Sequence, residues 1–246
     1  MKRFVRLLAA AAVCLLLTAC ISAPKRQAFN AQASGNPKAL QVLPLRHSQI
    51  DLFIVNNPGY NFGLIGLAIA EGNRKPKAEW LRSQVRQREF DHLAVFRSAL
   101  EQAMAERGYT LQFSDPLAEP EEAKTKREAW GTRKQYVTAA TSADAQLDIN
   151  FGFIGYAAAG SSDSAPYRPS VVLTARLVSA DGKRVLFEDQ IVYNSVFPLV
   201  QNAITINPDE RFRYPDFDDL KAAGPVVVDG LDIAFRAVAA ELARQL

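Results

Sequence analysis

The sequence predicts an α+β fold: an antiparallel sheet, made of a C-terminal three-stranded meander plus one or two N-terminal strands, with helices packed on one face. Three observations carry this reading. Between Leu147 and Tyr193 apolar residues recur at every second position in successive segments. On either side of that region, Leu93 to Met104 and Leu231 to Leu242 repeat at helical spacing. Ahead of both, Ile50 to Val55 is a short run rich in strand formers.

Ile50-Asp51-Leu52-Phe53-Ile54-Val55 reads as the first strand, stopped by Asn56, Asn57, Pro58 and Gly59. The next stretch, Tyr60 to Ala70, contains nine consecutive apolar or glycine residues from Phe62. That is too short to span a bilayer, which takes about 20. It suits a short helix in which Gly59, Gly63, Gly66 and Ala70 let another backbone come close. Packing on the domain's own sheet is the expected arrangement. The alternative is an exposed patch, with Phe62, Gly63, Leu64, Ile65, Gly66 and Leu67 as a partner or membrane contact. A phosphate-binding loop is excluded, because no Lys-Ser or Lys-Thr pair follows the glycines.

Arg74 to Arg88 is basic and polar, with a sparse helical stripe of Trp80, Leu81 and Val85. A clearer helix opens at Phe90-Asp91. There Asp91 is the N-cap, Leu93, Phe96, Leu100, Ala103 and Met104 share a face, and Gly108 ends it. Tyr109 to Phe113 alternates as the next strand. Leu117 to Ala140 is charged and alanine-rich, which predicts a helix interrupted at Gly131 with its mixed charges on a solvated face.

In the meander, Leu147, Ile149, Phe151 and Phe153 alternate with Asp148, Asn150 and Gly152, and Val171, Leu173, Ala175 and Leu177 alternate with Val172, Thr174 and Arg176. Asp181-Gly182 suits a two-residue turn, and Val185, Phe187, Ile191 and Tyr193 continue on the returning strand. After a proline- and aromatic-rich segment, Phe197 to Phe217, comes the last helix, Val226 to Leu246. It is expected on the same sheet face as the first.

The N-terminus has its own pattern. Lys2, Arg3 and Arg6 precede an apolar run, Leu7 to Leu17, and then Thr18, Ala19 and Cys20. A basic head, an apolar core and small residues are the layout of a secretory signal. Leu17-Thr18-Ala19-Cys20 resembles the lipobox of bacterial lipoproteins. The resemblance implies a signal peptide over residues 1–19, a diacylglyceryl thioether on Cys20, and acylation of its freed amine. One chain anchors marginally, so several acyl chains on one residue imply lasting membrane attachment. Ile21, where aspartate favours inner-membrane retention in Gram-negative lipoproteins, implies outer-membrane delivery with the domain facing the periplasm. Residues 20–38, rich in Ser, Pro, Asn, Gln and Gly, read as a flexible tether. Residues 39–246 read as a single domain.

Composition narrows the function classes. Of 29 basic residues three lie in the signal and no acidic one does, so the remainder carries 26 basic against 26 acidic residues. Such a balance gives no electrostatic footprint for nucleic acid. With Cys14 removed and Cys20 acylated, the mature domain has no cysteine for a disulfide or a thiolate metal site. No cofactor is implied.

Groups able to do chemistry are few. His47 and His92 lack partners at metal-site spacing and read as surface residues. Gly160-Ser161-Ser162-Asp163-Ser164 is not a nucleophile elbow and reads as a hairpin loop. Asp216, Asp218 and Asp219 lack the glycine and glutamate of a calcium loop and read as a capped helical turn. The carboxylate pairs Asp144 with Asp148 and Glu188 with Asp189 have no geometry that sets them across a cleft. Tyr156, Tyr167, Phe212, Tyr214 and Phe217 either line a ligand cleft or fill the core.

From Gly108 to Tyr193, with its strand-turn-strand around Asp181-Gly182-Lys183, the chain resembles small periplasmic domains of envelope lipoproteins, particularly accessory subunits of transport and secretion assemblies. The glycine-rich apolar segment ahead of Phe90-Asp91 is similar to that of uncharacterised envelope lipoproteins. These likenesses imply a non-catalytic protein that docks on another component of the envelope. A binding module for lipid, glycan or peptide is the alternative, and an envelope hydrolase a third reading.

Overall fold

The computed structural model describes residues 26–116, 126–128, 130–139, 143–162, 164–197 and 203–246. The lipobox residues Leu17, Thr18, Ala19 and Cys20 lie outside the described residues, as do residues 117–125 of the expected charged helix and Asp163.

The fold is α+β with an open mixed sheet. Its strands are β1 (Ala39–Val42), β2 (Arg46–His47), β3 (Asp51–Ile54), β4 (Thr110–Phe113), β5 (Ala145–Ala158), β6 (Arg168–Ser179), β7 (Val185–Tyr193) and β8 (Ile204–Ile206). The order is β4-β1-β5-β6-β7-β8, with β2 and β3 following β1 along the same edge of β5. Pro44 lies in the first interruption of that edge, where it has no N–H to give to a ladder.

The meander β5-β6-β7 is antiparallel, as expected. The N-terminal strands, however, run parallel to β5, and β4 runs parallel to β1. The chain between β3 and β4 is α1 (Gly63–Gln87) and α2 (His92–Ala105), and a helical crossover returns a strand in the same direction. The strands β1, β2 and β8 are too short and irregular in pattern to stand out in the sequence.

The core lies between the sheet and the pair α2 and α4 (Val227–Gln245). Asp91 caps α2 by accepting from the amides of Leu93 and Ala94 at 3.0 and 2.9 Å, worth about 1 kcal/mol. Phe96, Leu100 and Met104 of α2 and Leu231, Phe235, Val238 and Leu242 of α4 are fully buried over Leu147, Ile149, Phe151 and Leu173. Phe151 sits edge-on to Phe96 and Phe235, with ring centroids 4.9 and 5.4 Å away. Tyr156 donates to the Val227 carbonyl at 2.9 Å, and Tyr109 to that of Leu246 at 2.5 Å, so both ends of α4 are pinned to the sheet.

Four expectations fail for identifiable reasons. Gly152 sits at a β-bulge between Phe151 and Phe153, so Phe153 turns to the face opposite Phe151 rather than sharing it. The Asp181-Gly182 turn is longer than two residues. The Ser179 N–H bonds the Arg184 carbonyl at 2.9 Å, and the Asp181 carboxylate accepts from Ser179 and from the Lys183 amide inside the loop. Residues 126–128 and 130–139 are irregular, with an Arg127–Arg133 bridge in place of a helix. Finally, the part of the expected tether from Arg26 onward is docked. Gln27 pairs with Glu188 on the free edge of β7 through backbone bonds of 2.8 and 2.9 Å, the Arg26 guanidinium reaches Asp189 at 2.6 Å, and Phe29 packs against the core. An otherwise open strand edge supplies the reason.

Candidate functional site

The sheet face away from the helices is polar, and its register stacks the side chains in rows. Asp148, Arg176 and Glu188 form one row; Asn150, Thr174 and Gln190 the next; Phe153, Val172 and Val192 the third. Residues 126–139 cover the first row. The Arg133 amide donates to Asp148 at 2.6 Å and its guanidinium pairs with the same carboxylate, while Tyr136 donates to it at 3.0 Å and Arg127 lies 3.7 Å away. Arg176 donates to Glu188 at 2.6 Å and to the Arg133 carbonyl at 3.1 Å. Burial first, and then the Asp148 charge, raise the Tyr136 hydroxyl far above its ordinary pKa, so it stays a donor. Of the charges expected on a solvated helix face, Arg127 and Arg133 are instead turned onto the sheet, while Lys126, Glu128 and Lys134 are exposed. Asp148 and Arg133 are buried, not solvated.

Above the second and third rows lies an open groove of about 550 Å³. Asn150, Thr174, Gln190 and Val172 form its floor; Phe53, Trp130, Phe153 and Phe197 form its walls. The ring of Phe197 is 4.8 Å from that of Phe153 and 6.3 Å from that of Phe53. Asn150 donates to the Trp130 carbonyl at 3.0 Å, and Gln190 to the Thr174 hydroxyl at 3.2 Å. Gly131 makes the close passage of this strap possible: its φ is 87°, and a Cβ there would lie 2.2 Å from the Asn150 carboxamide. At the rim, Asp51 is paired with Arg74, which also holds Glu71 at 2.6 Å and draws its carboxyl below the usual range.

Beyond that rim Phe53 stacks on Tyr60 with centroids 6.0 Å apart, and Tyr60 belongs to the 3-10 turn Pro58–Asn61 that leads into α1. Here the expectation of packing on the sheet is overturned for the large side chains. Phe62, Leu64, Ile65, Leu67 and Ile69 are 74, 85, 78, 43 and 61 % exposed. Gly66 and Ala70 do face inward, against the turn at Gly59; a Cβ on Gly66 would lie 2.3 Å from the Gly59 carbonyl oxygen. Gly63 begins the helix at a φ of 62° with open space around it. The helix then runs unbroken through Pro76 to Gln87, anchored by Ala78 and Leu81.

The other candidates are accounted for by packing and capping. His92 is half-buried and not a fully solvated surface residue. It lies against His47 and Phe235, with centroids 5.2 and 5.4 Å away, and burial first, then His47, lower its pKa to about 4. Asp216 caps α3 (Phe217–Ala222) through the Asp219 amide at 2.8 Å. Asp144 accepts from the amides of Lys38 and Ala39, both at 2.8 Å, which lowers its pKa. Glu188 and Asp189 point to opposite faces, toward Arg176 and Arg26. Ser162 and Ser164 bond each other at 2.8 Å in the hairpin loop. Tyr156, Tyr167 and Phe212 are buried and do not line the groove. Among the described residues no three His, Cys, Asp or Glu converge as a metal site, and no helix is long and apolar enough to cross a membrane.

Sequence reasoning missed the groove because its four aromatic walls come from four separate segments. Phe153 was recoverable from the glycine at 152, since glycine inside a strand pattern marks a bulge. No known protein family matches the chain, and no curated protein does either.

Proposed function

We propose that this chain is a non-catalytic outer-membrane lipoprotein, anchored through acylated Cys20, whose periplasmic domain docks on another protein of the envelope through the start of α1. The supporting observation is the exposure of Phe62, Leu64, Ile65, Leu67 and Ile69 together at one end of a helix. Contiguous apolar surface of this kind marks an interaction site more often than it marks idle surface. Leu64, Ile65, Leu67 and Ile69 spread over more than half of the helix circumference, so the complementary surface is a groove that receives the helix. From Tyr60 to Asn73 the segment carries no Lys, Arg or Trp of the kind that marks an interfacial membrane helix, and the basic residues of α1 begin only at Arg74. A protein groove therefore fits better than a bilayer.

The test is photo-crosslinking from position 65 in the anchored protein within its native envelope. The expected result is one discrete protein adduct, lost in a Leu64→Ser, Leu67→Ser variant whose melting temperature is unchanged. Adducts with lipid alone would refute the protein partner. A second reading, a ligand-binding module, is favoured by the aromatic groove.

A further inference from the structure

We propose that the groove over Asn150, Thr174 and Gln190 is a binding site for an uncharged saccharide. The inference takes up the ligand-binding reading and is independent of docking through α1.

The floor argues against an acyl chain. After the two internal bonds, the side-chain oxygens of Asn150 and Gln190 have no partner among the described residues, and each carboxamide keeps a second N–H. Covering such groups with hydrocarbon leaves them desolvated and unpaired, whereas a ring of hydroxyls matches their mixture of donors and acceptors.

The walls argue for the other half of a sugar. Phe53, Trp130, Phe153 and Phe197 are half-buried around the floor. Their negative π-faces suit the polarised C–H bonds on the face of a pyranose ring. At about 550 Å³ the groove is within the range of roughly 300–1,000 Å³ usual for small-molecule sites.

Charge decides against ionic ligands. Asp51 is paired with Arg74, and Asp148 and Glu188 are paired with Arg133 and Arg176 beneath residues 126–139. A phosphate or a charged peptide would therefore meet groups already neutralised inside the domain. An extended peptide also needs a free strand edge, and the floor of this groove is the face of β5, β6 and β7, which lie inside the sheet order.

Trp130 supplies the readout, because the chain has two tryptophans and Trp80 is away from the groove. The anchored full-length protein, in nanodiscs and carrying Trp80→Phe, is titrated with maltotriose and with triacetylchitotriose, both uncharged. Monohexanoylglycerol and tetra-alanine are the comparison probes. At least one trisaccharide should give a saturable change in Trp130 emission. Gln190→Leu should weaken it at least tenfold. Gly152→Leu should abolish it without lowering the melting temperature, because a Cβ at 152 meets nothing nearer than Val172 at 3.8 Å and its side chain fills the groove. If Gln190→Leu does not fold, Gly152→Leu decides alone. The proposal is overturned by no saturable response to either trisaccharide, by tighter binding of the acylglycerol or the peptide, or by saccharide binding that survives Gly152→Leu.

Discussion

Replacing Asp148 with asparagine tests whether residues 126–139 are held down by charge. The substitution keeps the volume and removes the carboxylate that receives the Arg133 guanidinium, the Arg133 amide and the Tyr136 hydroxyl, with Arg127 at 3.7 Å. Asp148 is fully buried and Arg133 nearly so, and breaking a buried pair by removing one partner costs about 3–5 kcal/mol. For a domain of this size each kcal/mol lowers the melting temperature by about 2–4 °C, so the expected fall is about 6–20 °C. Tyr136→Phe, which removes one hydroxyl from the same carboxylate, should cost only about 1–2 kcal/mol. Melting followed by far-UV circular dichroism gives both numbers. Because the strap carries Trp130, its emission should also shift to the red in Asp148→Asn. A fall below about 3 °C with unchanged emission would refute the reasoning and leave apolar contacts as what holds the strap.

Three further outcomes are expected. His92 has a folded pKa of about 4 against an ordinary 6.5, so the unfolded chain binds the proton more tightly between those values. Its contribution is complete above about 6.5 and is lost as pH falls toward 4, amounting to about 2 kcal/mol after discounting for the ring's partial exposure. Denaturant midpoints for His92→Phe measured from pH 7 to 5 should lose that slope; an unaltered slope would place the titration elsewhere. Gly66→Leu should cost about 1–3 kcal/mol, read as a lower melting temperature, since its Cβ meets the Gly59 carbonyl oxygen at 2.3 Å, while Leu64→Ser should leave stability within about 0.5 kcal/mol. Cys20→Ser should block acylation and leave unprocessed precursor, and mass spectrometry finding a mature N-terminus other than modified Cys20 would remove the anchor.

The elements legible in the sequence are those whose pattern answers to one neighbour. Phe96, Leu100 and Met104 capped by Asp91, and Leu231 to Leu242, each present one buried stripe to the common core between the helix pair and the sheet, so spacing is enough. Leu173, Ala175 and Leu177 alternate because one side of β6 meets helices and the other a polar row. Legibility ends where a residue answers to something distant in the chain. Arg133 and Tyr136 look like solvated helix residues until the register of β5 sets Asp148 beneath them. Arg26 and Gln27 look like linker until β7 leaves an edge open. Phe62 to Ile69 is the converse case: its apolarity was plain, but local pattern does not distinguish a helix that meets its own sheet from one that does not. The fold resolves it, because α1 spends its buried positions, Gly66, Ala70, Ala78 and Leu81, on a single narrow stripe.

Two features of the domain now bear on one another. Phe197 and Phe53 wall the groove, Phe53 stacks on Tyr60, and Tyr60 lies in the turn that opens into Phe62 and the exposed start of α1. Groove and helix start are therefore joined by a chain of touching aromatic rings, and a protein seated on the helix would rest beside whatever occupies the groove. Under the proposed lipid anchor, the docked N-terminal segment limits how far its own docking point stands from the bilayer. Cys20 precedes Arg26 by six residues, and an extended chain spans at most about 3.5 Å per residue, so an anchor at Cys20 holds Arg26 within about 20 Å of the bilayer. A free tether reaching to residue 38 would have allowed roughly three times that distance. With that anchor, Arg26 and the stretch of β7 that holds it are therefore kept close to the bilayer.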